Sequence, residues 1–326
     1  MKDIIIDCDP GIDDALALIL AIKSKVLNVK AITTVMGNST IKNTTNNTLK
    51  LLDLLNIKNI PVYSGARHSL KGEFFGSEDV HGKNGLIGLD SIFPQQNVKT
   101  EKAPEILAKY LKNNKNEISI VALGPLTNIA KLIMNYPEVV PYIKELTIMG
   151  GAIMCPGNIT PQAEFNIYCD VKAADIVFRS AVSNITLVPL DVTRKVILKP
   201  NFLNTLKKSD IINSKLGTFL QKSVSFYQDY CIKHTDLNGC PLHDPLAIGE
   251  SINPYFMEKN YFELKVIEAE AILKTNIDGE IIKLTKGKII TRNEFPQLFQ
   301  KSRNEIKVCL KVDSFRFLEY FVNNLF

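Results

Sequence analysis

The run Ile4-Ile5-Ile6-Asp7-Cys8-Asp9-Pro10-Gly11-Ile12-Asp13-Asp14-Ala15 decides how this chain is read. Its apolar start reads as a buried strand, Pro10-Gly11 as a sharp turn, and the apolar spacing from Ala15 to Ile22 as the helix that follows. Asp7, Asp9, Asp13 and Asp14 therefore crowd a single strand-to-helix junction. Hard divalent cations need several oxygen ligands converging on one point, and acids at a strand end and at the next helix start supply them. Helix capping accounts for Asp13 or Asp14 singly; it leaves Asp7 and Asp9 beside Asp14 unexplained.

Outward from this junction the same alternation continues. Short β-branched runs over residues 29–35, 60–63, 118–123, 146–149 and 185–190 are interleaved with helical spacing over 43–55, 104–111, 126–134 and 173–178. That order predicts an α/β fold, a mostly parallel open sheet with flanking helices. Ligands of such sheets bind outside the carboxyl ends of the strands. Asp9, Gly37-Asn38, Leu123-Gly124-Pro125 and Met149-Gly150-Gly151 all stand at predicted strand exits, which points to one shared pocket. From about residue 200 the pattern changes to a helical flank, with helices over 202–208 and 211–232 and another opened by His243-Asp244-Pro245. Strands over 261–267 and 306–312 and a last helix from Phe315 follow. No Pro/Gly/Ser-rich linker marks a boundary, so one domain over 1–326 is expected.

Composition narrows the function classes. A chain of 326 residues with 45% hydrophobic residues can bury a large core. The net charge of +5 is small for that length, and the lysines are dispersed without aromatic interleaving, so no nucleic-acid surface is expected. No stretch is long and apolar enough to span a membrane, and acids interrupt any leader-like start. The six cysteines show no paired spacing, which fits a reducing, cytoplasmic setting, and Cys8 reads as a small buried residue.

Three further groups carry chemistry. Asp244 at a helix start could complete the acid cluster, with His243 beside it facing a reacting group and Pro245 helping to initiate the helix. Asn158, Glu164, Phe165 and Asn166 offer two amides, a carboxylate and an aromatic within loop-like sequence. This set suits a polyhydroxylated ligand, because amides and carboxylates bond hydroxyls whereas a phosphate calls for arginine and helix N-termini. His81 stands in the glycine-bearing loop Asp79-Val80-His81-Gly82-Lys83-Asn84-Gly85, where a mobile polar residue could cover a ligand.

On Asp7-Cys-Asp-Pro-Gly-Ile-Asp-Asp-Ala15, Gly37-Asn38, Leu123-Gly-Pro-Leu-Thr-Asn128, Met149-Gly-Gly151, Glu164-Phe-Asn166 and His243-Asp-Pro245, the chain resembles the inosine-uridine-preferring nucleoside hydrolase family. The resemblance implies a Rossmann-like nucleoside hydrolase fold and hydrolysis of the N-glycosidic bond of purine or pyrimidine ribonucleosides. It further implies a bound Ca2+ held by Asp9, Asp14, Asp244 and the Leu123 carbonyl, a calcium-bound water activated by Asp9, and a homodimer or homotetramer. Ribose contacts are implied for Asp13, Asn38, Asn158, Glu164 and Asn166, with Met149 and Phe165 lining the ribose pocket. For the leaving base, His243 resembles the acid used on purines, with Tyr227 or Tyr230 beside it, and His81 the loop histidine recruited for pyrimidines. The segment 152–156 is slightly longer than the family spacing. Two rival readings are a noncatalytic calcium-dependent nucleoside or sugar binder and a magnesium phosphohydrolase of the haloacid dehalogenase type. The latter lacks its threonine after the second aspartate here.

Overall fold

The computed structural model describes residues 1–274, 281–299 and 304–325. Its main feature is a nine-stranded sheet built from β1 (Lys2–Cys8), β2 (Leu27–Thr34), β3 (Val62–Ser64), β4 (Ser119–Ala122), β5 (Glu145–Met149), β6 (Ile185–Val188), β9 (Met257–Val266), β12 (Ile289–Thr291) and β13 (Glu305–Val312). Two minor pairs stand apart from it: β7 (Ile197–Leu198) with β8 (Cys240–Pro241), and β10 (Ala271–Lys274) with β11 (Ile281–Leu284). In the main sheet the order is β12-β9-β13-β6-β5-β4-β1-β2-β3. Pairing is parallel from β13 through to β3, and β9 runs antiparallel to both of its neighbours.

The helices follow the strands as a parallel sheet requires. They are α1 (Ile12–Lys23), α2 (Ile41–Leu54), α3 (Glu78–His81), α4 (Ala103–Asn113), α5 (Thr127–Asn135), α6 (Phe165–Cys169), α7 (Val171–Phe178) and α8 (Leu190–Thr193). Beyond them come α9 (Asn201–Lys207), α10 (Lys215–His234), α11 (His243–Ile252) and α12 (Ser314–Leu325). Alternation along β1 sends Ile4 and Ile6 into one apolar core and Ile5 into the other, on opposite faces of the sheet. Helix α1 is buried along nearly its whole length because α11 and α12 cover the side that faces away from the sheet.

Strand order fixes the place of the site. From β1 the chain steps outward through β2 and β3 on one side, and from β4 through β5 and β6 on the other, so the order reverses between β1 and β4. There the Leu123 N–H donates to the Asp7 carbonyl at 2.7 Å, leaving a crevice past both carboxyl ends.

Several expected boundaries move. Pro189 ends β6 at Val188, so Leu190 begins the single turn α8 where a continuing strand was expected. Helix α10 begins at Lys215, four residues later than the spacing suggests, because the Ser214 hydroxyl accepts the Gly217 N–H and caps it there. The loop around His81 contains the short helix α3. Among the described residues no helix is long and apolar enough to cross a membrane.

Candidate active site

The floor of the crevice is made of acids. Asp7 Oδ1 accepts from Thr33 Oγ1 at 2.5 Å and from Asn128 Nδ2 at 2.8 Å, so this residue ties the exits of β1, β2 and β4 together. Burial pushes its carboxyl up to about 7, against the pull of those two hydrogen bonds. Asp9, one step further along, is held by the Asn38 main-chain N–H on Oδ2 at 2.6 Å, while its Oδ1 is buried without a hydrogen-bond partner. The glycines at neighbouring strand exits exist for this carboxylate. A Cβ on Gly37 would lie 1.9 Å from Asp9 Oδ2, and one on Gly124 would lie 2.4 Å from Oδ1.

Asp14 sits in the first turn of α1 and takes three N–H groups: Asp9 N at 3.2 Å, Gly11 N at 3.0 Å and Asn38 Nδ2 at 3.0 Å. It is therefore a cap as well as a site residue. Asp13, Asp14 and Asp244, all buried, bring carboxylate oxygens within 4.8 Å of one another. Asp244 reaches the group from the first turn of α11, opposite α1. Burial raises Asp9, Asp13, Asp14 and Asp244; repulsion between neighbouring carboxylates adds to it at Asp9, Asp13 and Asp244, whereas hydrogen bonds oppose it at Asp14, and Asp13 is pushed up to about 8. Among the described residues no lysine or arginine forms an ion pair with any of these acids. Buried carboxylates need a counter-charge, and an orphaned oxygen beside three converging acids fits a hard cation.

Above this floor opens a cleft of about 260 Å³. One wall comes from the segment between β5 and α7. Glu164 caps α6, its Oε1 accepting Asn166 N at 2.9 Å and its Oε2 accepting Gly151 N at 2.9 Å and Ile167 N at 3.1 Å. Asn166 Nδ2 donates to the Leu123 carbonyl at 2.6 Å, and Asn158 Oδ1 accepts the Phe165 N–H at 2.9 Å. These bonds spend one end of each amide on the protein and leave Asn166 Oδ1 and Asn158 Nδ2 for a ligand. Met149 and Phe165 add apolar surface to the lining.

The other end of the cleft carries the imidazoles. His81, expected in an open loop, stands on the short turn α3, is 5% exposed and lines the cleft. Its ring lies 5.8 Å from that of Tyr227, and its Nδ1 accepts the Ile12 N–H at 3.1 Å. His243 Nδ1 meets Thr193 Oγ1 at 2.7 Å. Burial lowers both histidines to about 3, Arg194 also contributing at His243. Tyr230 lines the cleft from the exposed side of α10 and packs against His234.

Every residue expected at the site from sequence lines this cleft except Asp9 and Asp14, which lie buried beneath it. Several contributors escaped the sequence reading. Asn128 stood inside a quoted motif without a role. Ser77, whose hydroxyl donates to Asn38 Oδ1 at 2.7 Å, and Thr193 gave no local signal at all, since their partners lie 39 and 50 residues away.

The family model described as inosine-uridine preferring nucleoside hydrolase matches residues 4–319. The chain is 40% identical over 255 residues to a pyrimidine-specific ribonucleoside hydrolase RihA of Salmonella enteritidis PT4, covering 77% of this chain and 79% of that one. Among solved structures, a plant nucleoside hydrolase, PpNRh1, superposes with a TM-score of 0.86 at 33% identity, over 99% of this chain and 98% of that one. A purine-preferring ribonucleoside hydrolase from Gardnerella vaginalis gives a TM-score of 0.86 at 30% identity with the same coverage.

Proposed function

Since the chain belongs to the inosine-uridine preferring nucleoside hydrolase family, we propose that it hydrolyses the N-glycosidic bond of small-molecule ribonucleosides, purine or pyrimidine, to free base and ribose. The observation that carries this reading is one juxtaposition. An acid floor without basic partners lies directly under a cleft lined by amides, carboxylates and two imidazoles, with no lysine or arginine in that lining among the described residues. Such a lining suits hydroxyl groups and a developing positive charge, and offers nothing to a phosphate.

Asp9, Asp14, Asp244 and the Leu123 carbonyl would hold the cation, with Asp13 at the cleft side of the same group. An all-oxygen set that mixes carboxylates with a neutral carbonyl fits calcium. When bound, calcium supplies coordination positions for hydroxyl oxygens and a water, and acidifies that water.

The chain's own residues do the rest. Asp9 Oδ1 has a free lone pair and a carboxylate fixed by Asn38, so it takes the proton of the attacking water. As the C1′–N bond breaks, Asp13 and Glu164 with the Asn166 amide oxygen stabilise the oxocarbenium-like ribosyl centre. The electron pair leaves with the base. Because the Nδ1 of His81 already accepts an N–H, its proton resides on Nε2, and this neutral imidazole stabilises the departing base by an N–H hydrogen bond, with His243 alongside it; the base takes its proton from solvent, matching the one Asp9 removes from the attacking water. Tyr227 closes that end of the cleft and Tyr230 rims it. The expected homodimer or homotetramer belongs to the same reading and is checked by light scattering.

A reducing-sugar assay on inosine, adenosine, uridine and cytidine with calcium present tests the proposal. Turnover on at least one is expected, and the panel reports the base preference. Binding without turnover on all of them leaves a nucleoside-binding protein.

A further inference from the structure

Helix α8 and the residue that follows it send three polar side chains in different directions. Asp191, 6% exposed, accepts Ile153 N at 3.0 Å on Oδ2 and Met154 N at 2.8 Å on Oδ1. Thr193 bonds His243 Nδ1. Arg194, just past the helix end, donates Nη1 to the Pro156 carbonyl at 2.8 Å and Nη2 to the Gly157 carbonyl at 2.7 Å. These bonds reach the segment 152–157, which has no regular secondary structure of its own and carries Met154 out to 66% exposure. The next residue is Asn158, which lines the cleft and anchors Phe165.

We infer that Arg194 is a positioning residue for substrate binding: its guanidinium fork clamps the Pro156 and Gly157 carbonyls and thereby sets the place of Asn158 in the cleft. The chemistry favours arginine specifically. Two successive carbonyls present acceptors side by side, which a planar fork bridges and a lysine, as a single point charge, does not. Asp191 fixes the start of the segment and Arg194 its end, so the loop is stretched between two anchors on one rigid turn. That turn is held in the sheet by the Leu190 N–H, which donates to the Gly151 carbonyl at 2.9 Å. The two walls of the cleft, Asn158 on one side and His243 on the other, are thus referred to the same four-residue helix.

The inference rests on the proposed nucleoside hydrolysis, and two independent measurements keep them apart. Arg194→Met and Arg194→Lys are compared with the parent protein, with and without Asn158→Ala. Arg194→Met is expected to raise KM about tenfold while kcat changes less than about threefold, with Arg194→Lys falling between. In the Asn158→Ala background the same change should add less than about twofold, because it acts through a side chain no longer there. An equal rise in both backgrounds, or a loss confined to kcat, overturns the proposal. Hydrogen exchange reads the clamp without turnover: amides of residues 155–159 should exchange about tenfold faster in Arg194→Met while those of β1 and α1 stay unchanged. Unchanged exchange at 155–159 also overturns it. If the parent protein turns over no nucleoside, hydrolysis fails as the function, and exchange alone still decides the clamp.

Discussion

The Nδ1 of His81 accepts the main-chain N–H of Ile12 at 3.1 Å, so an imidazole from α3 is the acceptor for an orphan donor of helix α1. A proton cannot be added to that nitrogen without losing the bond. His81 is consequently expected to stay in its neutral Nε2–H form from about pH 5 to about pH 8, in keeping with its lowering to about 3 by burial. Nitrogen-detected NMR of the histidine rings checks this directly. A His81 resonance that titrates near the ordinary histidine value would contradict it.

Metal dependence should itself depend on pH. In the cation-free protein, burial raises the acid-floor carboxylates above their unfolded values, with repulsion adding at Asp9, Asp13 and Asp244, and Asp13 reaches about 8. A raised carboxyl contributes stability below its unfolded pKa of about 4 and loses it as pH climbs through the folded value. The cation-free protein should therefore melt at progressively lower temperature between about pH 5 and about pH 8, whereas calcium, which binds the ionised carboxylates, should oppose the trend. Melting curves in EDTA and in excess calcium are expected to diverge as pH rises. A calcium effect independent of pH would count against the acid floor as the binding site.

Replacing Asp9 by Ala should abolish turnover, with a loss on the order of 10²–10⁴-fold or more, since it removes the proposed proton acceptor. His243→Ala should chiefly damage natural nucleosides and leave substrates with activated leaving groups, such as a 4-nitrophenyl riboside, much less affected. Steady-state kinetics on both substrate types separates the two roles. Full activity in Asp9→Ala would defeat the mechanism.

Gly37→Ala tests the packing around the same carboxylate. The new methyl would sit 1.9 Å from Asp9 Oδ2, so the carboxylate or the strand exit must move. We expect loss of calcium affinity and of activity with circular dichroism unchanged. Wild-type calcium binding by isothermal calorimetry would show the glycine to be dispensable.

Nucleoside 5′-phosphates should be poor substrates. Asp13, Asp79, Glu164 and Asp244 face the cleft without a lysine or arginine in the lining among the described residues, and a dianionic group gains nothing there to offset its desolvation. Comparing uridine with uridine 5′-phosphate by base release measures the difference.

Much of this architecture was legible in the linear chain because it depends on local pattern. Alternating apolar runs gave the parallel order, and glycine or acid signatures at strand ends marked the crevice. Where local chemistry intervened, the boundaries shifted, as at Pro189 and Ser214. His81 shows the limit: a single turn of helix and the Ile12 N–H draw it inward, and neither is visible in the residues around it.

Sequence by itself determined the acid junction from Asp7 to Asp14, the sheet it belongs to, and which residue types gather at the strand exits, since each of these follows from short-range periodicity and turn chemistry. Only the tertiary structure decided how those residues are held. Asp244 joins Asp13 and Asp14 because α11 packs on α1. Asp9 keeps one bare oxygen because Gly37 and Gly124 leave it room. Thr193 and Arg194 reach His243 and the loop before Asn158 across dozens of residues. Hydrogen-bond partners so distant in the chain are chosen by the packing of elements, and nothing in the spacing of residues along one strand or helix records that choice.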